Sequence, residues 1–403
     1  TTPDWPEAVE FASALKRSDS KSVIVIGGHH PSALPDDYGA GLFDYIVMGE
    51  GDVVISQVIN RIRNTFSKTQ ADKRCFKAKR ILDLDILPYP KRIKSDLTSY
   101  RLEGLMYPGA SQQRAAASML LSRGCNNQCS FCASHNIWQT QLIKRPISSI
   151  IDEIGLLIKN HPIDVLVFVD QAFGEDIEWT RSLCMNIHNR FDHLMPRWYC
   201  MAKSSLDTQL LSVMRSAGCS KIGFGIETAD EDRRVVLKTC KSKNLQELNA
   251  LFKKCNSNGI FVKAYMMIGF PWETQEYLLG TTQKFLEGME ANELKISYFT
   301  PFPGTLDWNQ YSKQLLTSDW RYFDTQKLPV VHNSRITPKE YHLIRDHLIR
   351  AFYSSKTYSR VHARFIKMYP EYKQSWIEFA DYLRKQKQIT GSEKWVCLLG
   401  TST

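Results

Sequence analysis

Between residues 117 and 302 short apolar runs alternate with longer amphipathic stretches, over and over. The runs are SMLLS (118–122), DVLVFVD (164–170), RWYCMAK (197–203), SKIGFGIET (220–228), FVKAYMMIGF (261–270) and ELKISYFTPF (293–302). Between them lie PISSIIDEIGLLIKN (146–160), a stretch over about 177–191, LDTQLLSVMRSAG closing on Gly218, NLQELNALFKKCNSNG, and a stretch over about 275–288. The runs predict strands and the one-sided stretches predict helices. Strands joined through helices pair in parallel, because a parallel connection has to cross over the sheet. The predicted fold class is therefore α/β. It is a partial (β/α)6 TIM-like barrel over 116–310, short of the eight units that close a full barrel.

The flanks differ in texture. Residues 1–65 predict a partial doubly wound α/β domain. EAVEFASALK (7–16) has helical spacing, SVIVIGG (22–28) and YIVMGEG (45–51) are buried strands, and DVVISQVINRIRN follows as a helix. Residues 66–115 form a connector in which LDLDILPYPKR, with Pro88 and Pro90, is extended over a surface. Residues 311–403 read as a helical region. Thr337-Pro338-Lys339-Glu340 is a capping box with proline at the first helical position. It starts a helix through about Ser354 with Tyr341, Ile344, Leu348 and Phe352 on one face, and PEYKQSWIEFADYLRKQKQ starts another near 370.

The chain has 403 residues, 43 % hydrophobic and 23 % charged, the balance of a globular protein. No apolar run approaches the roughly 18 residues of a membrane span. The start, TTPDWPEAVEF, lacks the features of a signal peptide, so the expected location is cytoplasmic. The net charge is +10, and residues 61–80 carry eight basic side chains and one acid, Asp72. The plainer reading of that stretch is a solvated helix end and linker; the other is a contact for an anionic partner. No aromatic stripe or finger motif accompanies it, which gives nucleic acid little support.

Of ten cysteines, seven are scattered (75, 184, 200, 219, 240, 255, 397) and read as buried thiols. The other three, Cys125, Cys129 and Cys132, sit in LSRGCNNQCSFCASHNIW (121–138), directly after the first predicted barrel strand. In parallel α/β folds that is the rim where ligands bind. With His135 the three could hold zinc, although zinc ligands usually come as two pairs on separate turns. A redox pair of Cys129 and Cys132 leaves Cys125 without a role. A four-iron four-sulfur cluster takes one cysteine per iron, so three leave one iron open to a substrate or cofactor.

The C-x3-C-x2-C spacing with an aromatic, Phe131, before the last cysteine resembles the radical S-adenosylmethionine (SAM) enzymes, over roughly 117–305. The resemblance implies a 4Fe-4S cluster on Cys125, Cys129 and Cys132. It implies that SAM chelates the open iron and is cleaved by one electron to a 5′-deoxyadenosyl radical that abstracts a substrate hydrogen. It also implies an electron donor such as flavodoxin or ferredoxin. Further motif-like positions implied to contact SAM are Phe131, Asp170 and Gln171 in FVDQAF, Lys203 in MAKSSLD, and Glu227 in GFGIET. Gly269, Phe270 and Pro271 in MIGFPWET are implied to lie against adenine. Tyr298 faces the same mouth or packs in the barrel. Plainer roles stand beside some of these: Asp170 as the cap of the next helix, Lys203 as a solvated rim lysine. Glu227 is flanked by apolar strand and is costly to bury without a partner.

IVIGGHHPSALPDDYGAGLFDYIVMGEGD resembles the cobalamin-binding domain that precedes the barrel in one branch of that family. There the glycine pair Gly27-Gly28 is implied to let the backbone approach cobalamin, and the Gly49-Glu50-Gly51 turn and LDLDILPYP fit as well. The usual aspartate-x-histidine motif is missing, so His29 and His30 are not assigned to cobalt. The chain is expected to be a fragment of a longer protein; the other reading is a short form without cobalamin. RITPKEYHLIRDHLIRAFYSS also looks like this branch, which includes anaerobic magnesium-protoporphyrin ester cyclases and methyltransferases. The expected function is radical SAM chemistry, by cobalamin-associated methyl transfer or cyclisation, on a small-molecule or peptide substrate. The alternative is a non-catalytic metal-binding module that holds an anionic partner through 61–80.

Overall fold

At the N-terminal end, β1 (Val25–Gly27), β2 (Tyr45–Met48) and β3 (Cys75–Lys77) form a parallel sheet in that order. This is seen in a computed structural model that describes residues 1–37, 41–64, 75–92, 115–238, 244–370, 373–374 and 376–378. The helices Trp5–Ser18 and Gly51–Asn64 belong to the same part of the chain. Val47, Val54 and Val58 bury one seam of it, and Trp5, Ala12 and Phe43 another. The sequence predicts two strands here, and the structure has three. The third comes from the basic stretch 61–80, which is therefore not all solvated linker; its residues 65–74 lie outside the described set. Cys75 and Phe76 are half-buried in β3, and charge density hid that short strand from a hydropathy reading.

The barrel strands are β4 (Ala116–Met119), β7 (Val165–Phe173), β8 (Arg197–Ala202), β9 (Cys219–Glu227), β10 (Phe261–Ile268) and β11 (Glu293–Tyr298). All pairs are parallel and the spatial order follows the chain, from β4 at one edge to β11 at the other. β4 and β11 do not pair with each other, so the barrel stays open, as the six predicted units require. One correction concerns the first strand. It ends at Met119, and a separate antiparallel ribbon, β5 (Ser122–Arg123) with β6 (Ile143–Lys144), stands between it and the cysteine loop.

Alternation along the strands decides which side chains face the barrel interior. Ile222, Phe224 and Ile226 of β9 are buried towards the helices, where Phe224 meets Phe252. The opposite set is Lys221, Gly223, Gly225 and Glu227. A Cβ at Gly223 would strike Met201, Tyr199 and Tyr265, so bulky residues of β8 and β10 fill the space that glycine leaves. Below them Glu293 pairs with both Lys221 (2.7 Å) and Lys263 (2.6 Å), closing the floor with a buried ion triad.

The helix Pro338–Tyr353 has its capping box in place and buries Tyr341, Ile344, Leu348 and Phe352. Helix Lys356–Met368, capped by Ser355, was not anticipated; Tyr358, Val361 and Phe365 form its buried side. Most of the helix expected near 370 lies outside the described residues. No helix among the described residues is long and apolar enough to cross a membrane.

Candidate active site

The cysteine loop is held from several sides. Gly124, at φ +90, donates its N–H to Gln171 Oε1 (3.0 Å), and a Cβ there would stand 2.1 Å from Gln141 O. Inside the loop Cys132 N donates to Cys129 O (3.1 Å), closing a turn between two of the thiols. Ser130 N donates to Leu237 O and Asp307 N to Ser130 O, both at 3.1 Å, while Cys129 Sγ lies 3.6 Å from Lys238 O. The three thiols are half-buried, and none of them is in a disulfide.

The electrostatics place the remaining polar groups around that loop. Burial pushes the Cys129 thiol up to about 12, and the neighbouring Cys132, Glu227 and Cys125 push the same way. Burial also raises Cys125, while the adjacent Lys203 pulls it down. Such thiols stay protonated until a metal displaces the proton. Glu227 sits at a bulge between β9 and β10 with φ +70, a backbone region that non-glycine residues rarely occupy. Burial pushes its carboxyl up to about 7, with the Arg234 charge acting against that. Among the described residues no hydrogen bond reaches this carboxylate. Lys203 at the end of β8 pairs with Glu175 (2.6 Å), and Glu175 Oε2 is buried without a partner. Sequence reasoning missed Glu175; its signal was its place just past β7, after the left-handed Gly174.

Several expected contacts turn out to be supports. Asp170 and Gln171 are adjacent in β7, where its pairing with β8 is irregular, and both hold the stretch that leads to Cys125. Asp170 is 2 % exposed and accepts from Leu121 N and Ser122 Oγ, so it fixes the chain leading to the cysteines instead of facing the mouth. Burial raises its carboxyl to about 6. Nor does it cap the next helix; Asp176 does, accepting from Trp179 N. Gln171 holds Gly124, as described above. Tyr298 shares the face of Leu294 and Ile296, is fully buried, and bonds His342 Nδ1 through its hydroxyl (3.1 Å). It packs against the C-terminal helix, away from the mouth.

Gly269, at φ +99, and Phe270 both donate backbone N–H groups to Glu273 Oε2, at 2.7 and 3.1 Å. Asn333 and Tyr341 hold the Phe270 carbonyl. The Phe270 ring is buried, stacked on Phe299 and Trp272, and Phe131 packs beside that cluster. Pro271 is half-buried. In the N-terminal sheet, a Cβ at Gly27 would press on Val47 O at 3.1 Å, whereas Gly28, at φ +106, has open space around it. His29 donates to Ala133 O (3.1 Å), and His30 is buried against Trp5 and Trp320 and paired with Asp37. Both histidines are engaged inside the protein.

A single zinc ion does not fit. Among the described residues no group of three or more His, Cys, Asp or Glu side chains could hold one metal ion, and His135 is bonded to Asn127 O (2.7 Å). Three thiols on one loop at an open barrel rim, with no fourth such side chain grouped with them among the described residues, fit a cluster with a vacant corner.

The sequence profile of the radical SAM superfamily matches residues 119–285. The chain carries a radical SAM domain. It is 22 % identical over 340 residues to an uncharacterized methyltransferase of Pyrococcus horikoshii, covering 81 % of this chain and 71 % of that protein. It is 24 % identical over 320 residues to the anaerobic magnesium-protoporphyrin IX monomethyl ester cyclase of Rubrivivax gelatinosus, covering 75 % of this chain and 55 % of the cyclase. The solved radical SAM methyltransferase TsrM from Kitasatospora setae, with cobalamin and a 4Fe-4S cluster bound, superposes with a TM-score of 0.65 at 17 % identity. That match covers 95 % of this chain and 84 % of TsrM, and shows a shared fold. The matched segment starts at Met119, the last residue of β4, and takes in the cysteine loop, Lys203 and Glu227.

Proposed function

We propose that the chain is a radical SAM enzyme of the cobalamin-associated branch, acting by hydrogen abstraction on a small-molecule or peptide substrate, with methyl transfer or cyclisation as the outcome. One arrangement supports the reading: three thiols on a single loop at the mouth of the barrel, with the half-buried Glu227 carboxyl close enough to Cys129 to raise its thiol and no hydrogen bond to that carboxyl among the described residues. When bound, a 4Fe-4S cluster and SAM would supply the single-electron cleavage that yields the 5′-deoxyadenosyl radical.

The protein's own part is placement. Cys125, Cys129 and Cys132 are the ligands. Glu227 offers an acceptor for an ammonium or hydroxyl group of SAM, and the left-handed backbone at that residue aims it. Lys203 lies beside Cys125 with Glu175 as its counter-charge. Glu273, Asn333 and Tyr341 keep the backbone at 269–271 in one shape for a flat ring to lie against. The apolar cluster around Phe270 and Phe299 keeps water from that side.

For cobalamin the glycine pair leaves open space at Gly28. His29 and His30 are engaged elsewhere, so no cobalt ligand is assigned. The cobalamin association is supported by the likeness to the cobalamin-bound TsrM structure.

Anaerobic reconstitution with iron and sulfide, then SAM and a strong reductant, is the test. A brown protein releasing 5′-deoxyadenosine is expected. A colourless product that retains zinc and leaves SAM intact would overturn the reading.

A further inference from the structure

Glu50, in the turn after β2, is buried in the N-terminal sheet, yet its partners lead to the cysteine loop. Its side chain is 1 % exposed. One oxygen accepts from Arg80 and from Ile81 N (3.2 Å), the other from Arg123 Nη1 (2.8 Å). Arg123 also binds Asp52 twice, at 2.8 and 3.2 Å. Two carboxylates and two guanidinium groups therefore balance in charge. Arg80 then reaches on with its other nitrogen to Arg123 O (2.8 Å) and Gln141 O (3.2 Å), the carbonyls that flank Gly124. Cys125 is the next residue. At the far end of the loop His29 donates to Ala133 O, one residue after Cys132, and sets its ring edge-on to Trp138.

We propose that Glu50 and His29 are positioning residues for the cysteines, so that the N-terminal sheet clamps both ends of the cluster loop. The clamp is made of contacts to the loop's own backbone on either side of the C-x3-C-x2-C stretch. A mere fastening of two parts of the chain would not need to touch those atoms. A buried carboxylate between two arginines is also stiff, since withdrawing either partner leaves an uncompensated charge. The role as a cluster brace rests on the radical SAM reading, but the clamp itself is a property of the polypeptide.

The test compares the full chain with Glu50→Gln, Asp52→Asn and His29→Phe by hydrogen exchange without iron, read on peptides covering 121–138. Opening of the first end in Glu50→Gln and Asp52→Asn, and of the second end in His29→Phe, by about tenfold is expected, with peptides from β8 and β9 unchanged. If Glu50→Gln fails to fold, Asp52→Asn and His29→Phe decide. In a second arm the variants are reconstituted anaerobically and exposed to air; bleaching at least about fivefold faster than wild type is expected. Loop exchange at the wild-type rate, or acceleration spread evenly over the chain, overturns the proposal. A wild-type chain that takes up no cluster would sink the radical SAM reading alone, because the exchange arm uses no iron.

Discussion

A Cβ placed on Gly225 would lie 2.2 Å from Glu227 Oε1, so the glycine makes room for the carboxylate two residues ahead of it. Gly225→Ala forces that carboxylate to swing away, since the side chain yields more readily than the strand. The expected result is SAM binding weakened roughly tenfold, equal to about 1.4 kcal/mol, with little change in melting temperature. Equilibrium dialysis of SAM against the reconstituted variant checks it; an unchanged Kd would detach Glu227 from the cofactor.

Lys203 and Glu175 form a pair in which each side chain is 15 % exposed. Lys203→Met leaves a buried carboxylate without its counter-charge, and the expected loss is about 3–5 kcal/mol. Adding Glu175→Gln removes the stranded charge and should restore most of that loss. Urea unfolding of the two single variants and the double variant measures the coupling. Simple additivity would show that the pair is not coupled in the folded state.

Burial pushes the Glu273 carboxyl to about 8 from an ordinary 4.5, against its bonds to Gly269 N, Tyr341 and Phe270 N. A raised folded value means the native state holds the proton more tightly than the unfolded chain. That contribution is complete below about pH 4.5 and is lost as pH rises through about 8. Asp170 (about 6) and Glu227 (about 7) act with the same sign. The unloaded protein should lose stability, on the order of a few kcal/mol, between pH 5 and 8. Glu273→Gln, which keeps the acceptor, should flatten part of that slope in calorimetric scans. A wild-type slope in the variant would refute the assignment.

Cys129→Ala should abolish iron uptake, with Cys125→Ala and Cys132→Ala behaving alike. Cys184 is a fully buried thiol whose proton is held by burial. Cys184→Ala should keep the full iron content and lose only about 1 kcal/mol of stability. Iron and sulfide analysis after reconstitution separates the two classes.

The six strand–helix units were legible because each side of a parallel sheet must be covered, and that need writes a local pattern. The three cysteines were legible because they lie on one loop, so their spacing is itself the geometry. The helix capping box at Thr337 was likewise complete in four adjacent residues. The chain alone thus determined the open barrel and the place of the three cysteines on one loop just past its first strand.

What neighbours across the sheet do could not be read from the chain. Asp170 and Gln171 were one motif in sequence, yet both are tied to residues 121–124, about 50 positions back along the chain, which no local pattern announces. Tyr298 was ambiguous until the helix Pro338–Tyr353 packed over its face of β11. Glu175 entered only when Lys203 was brought beside it from the next strand. β3 depends on pairing with residues some 29 positions away, and the Glu50–Arg80–Arg123 linkage on contacts across 30 and 73 residues. Sequence periodicity carries information over a turn of helix or a few strand residues, whereas these assignments depend on which distant backbone closes against which; that is settled only when the core packs.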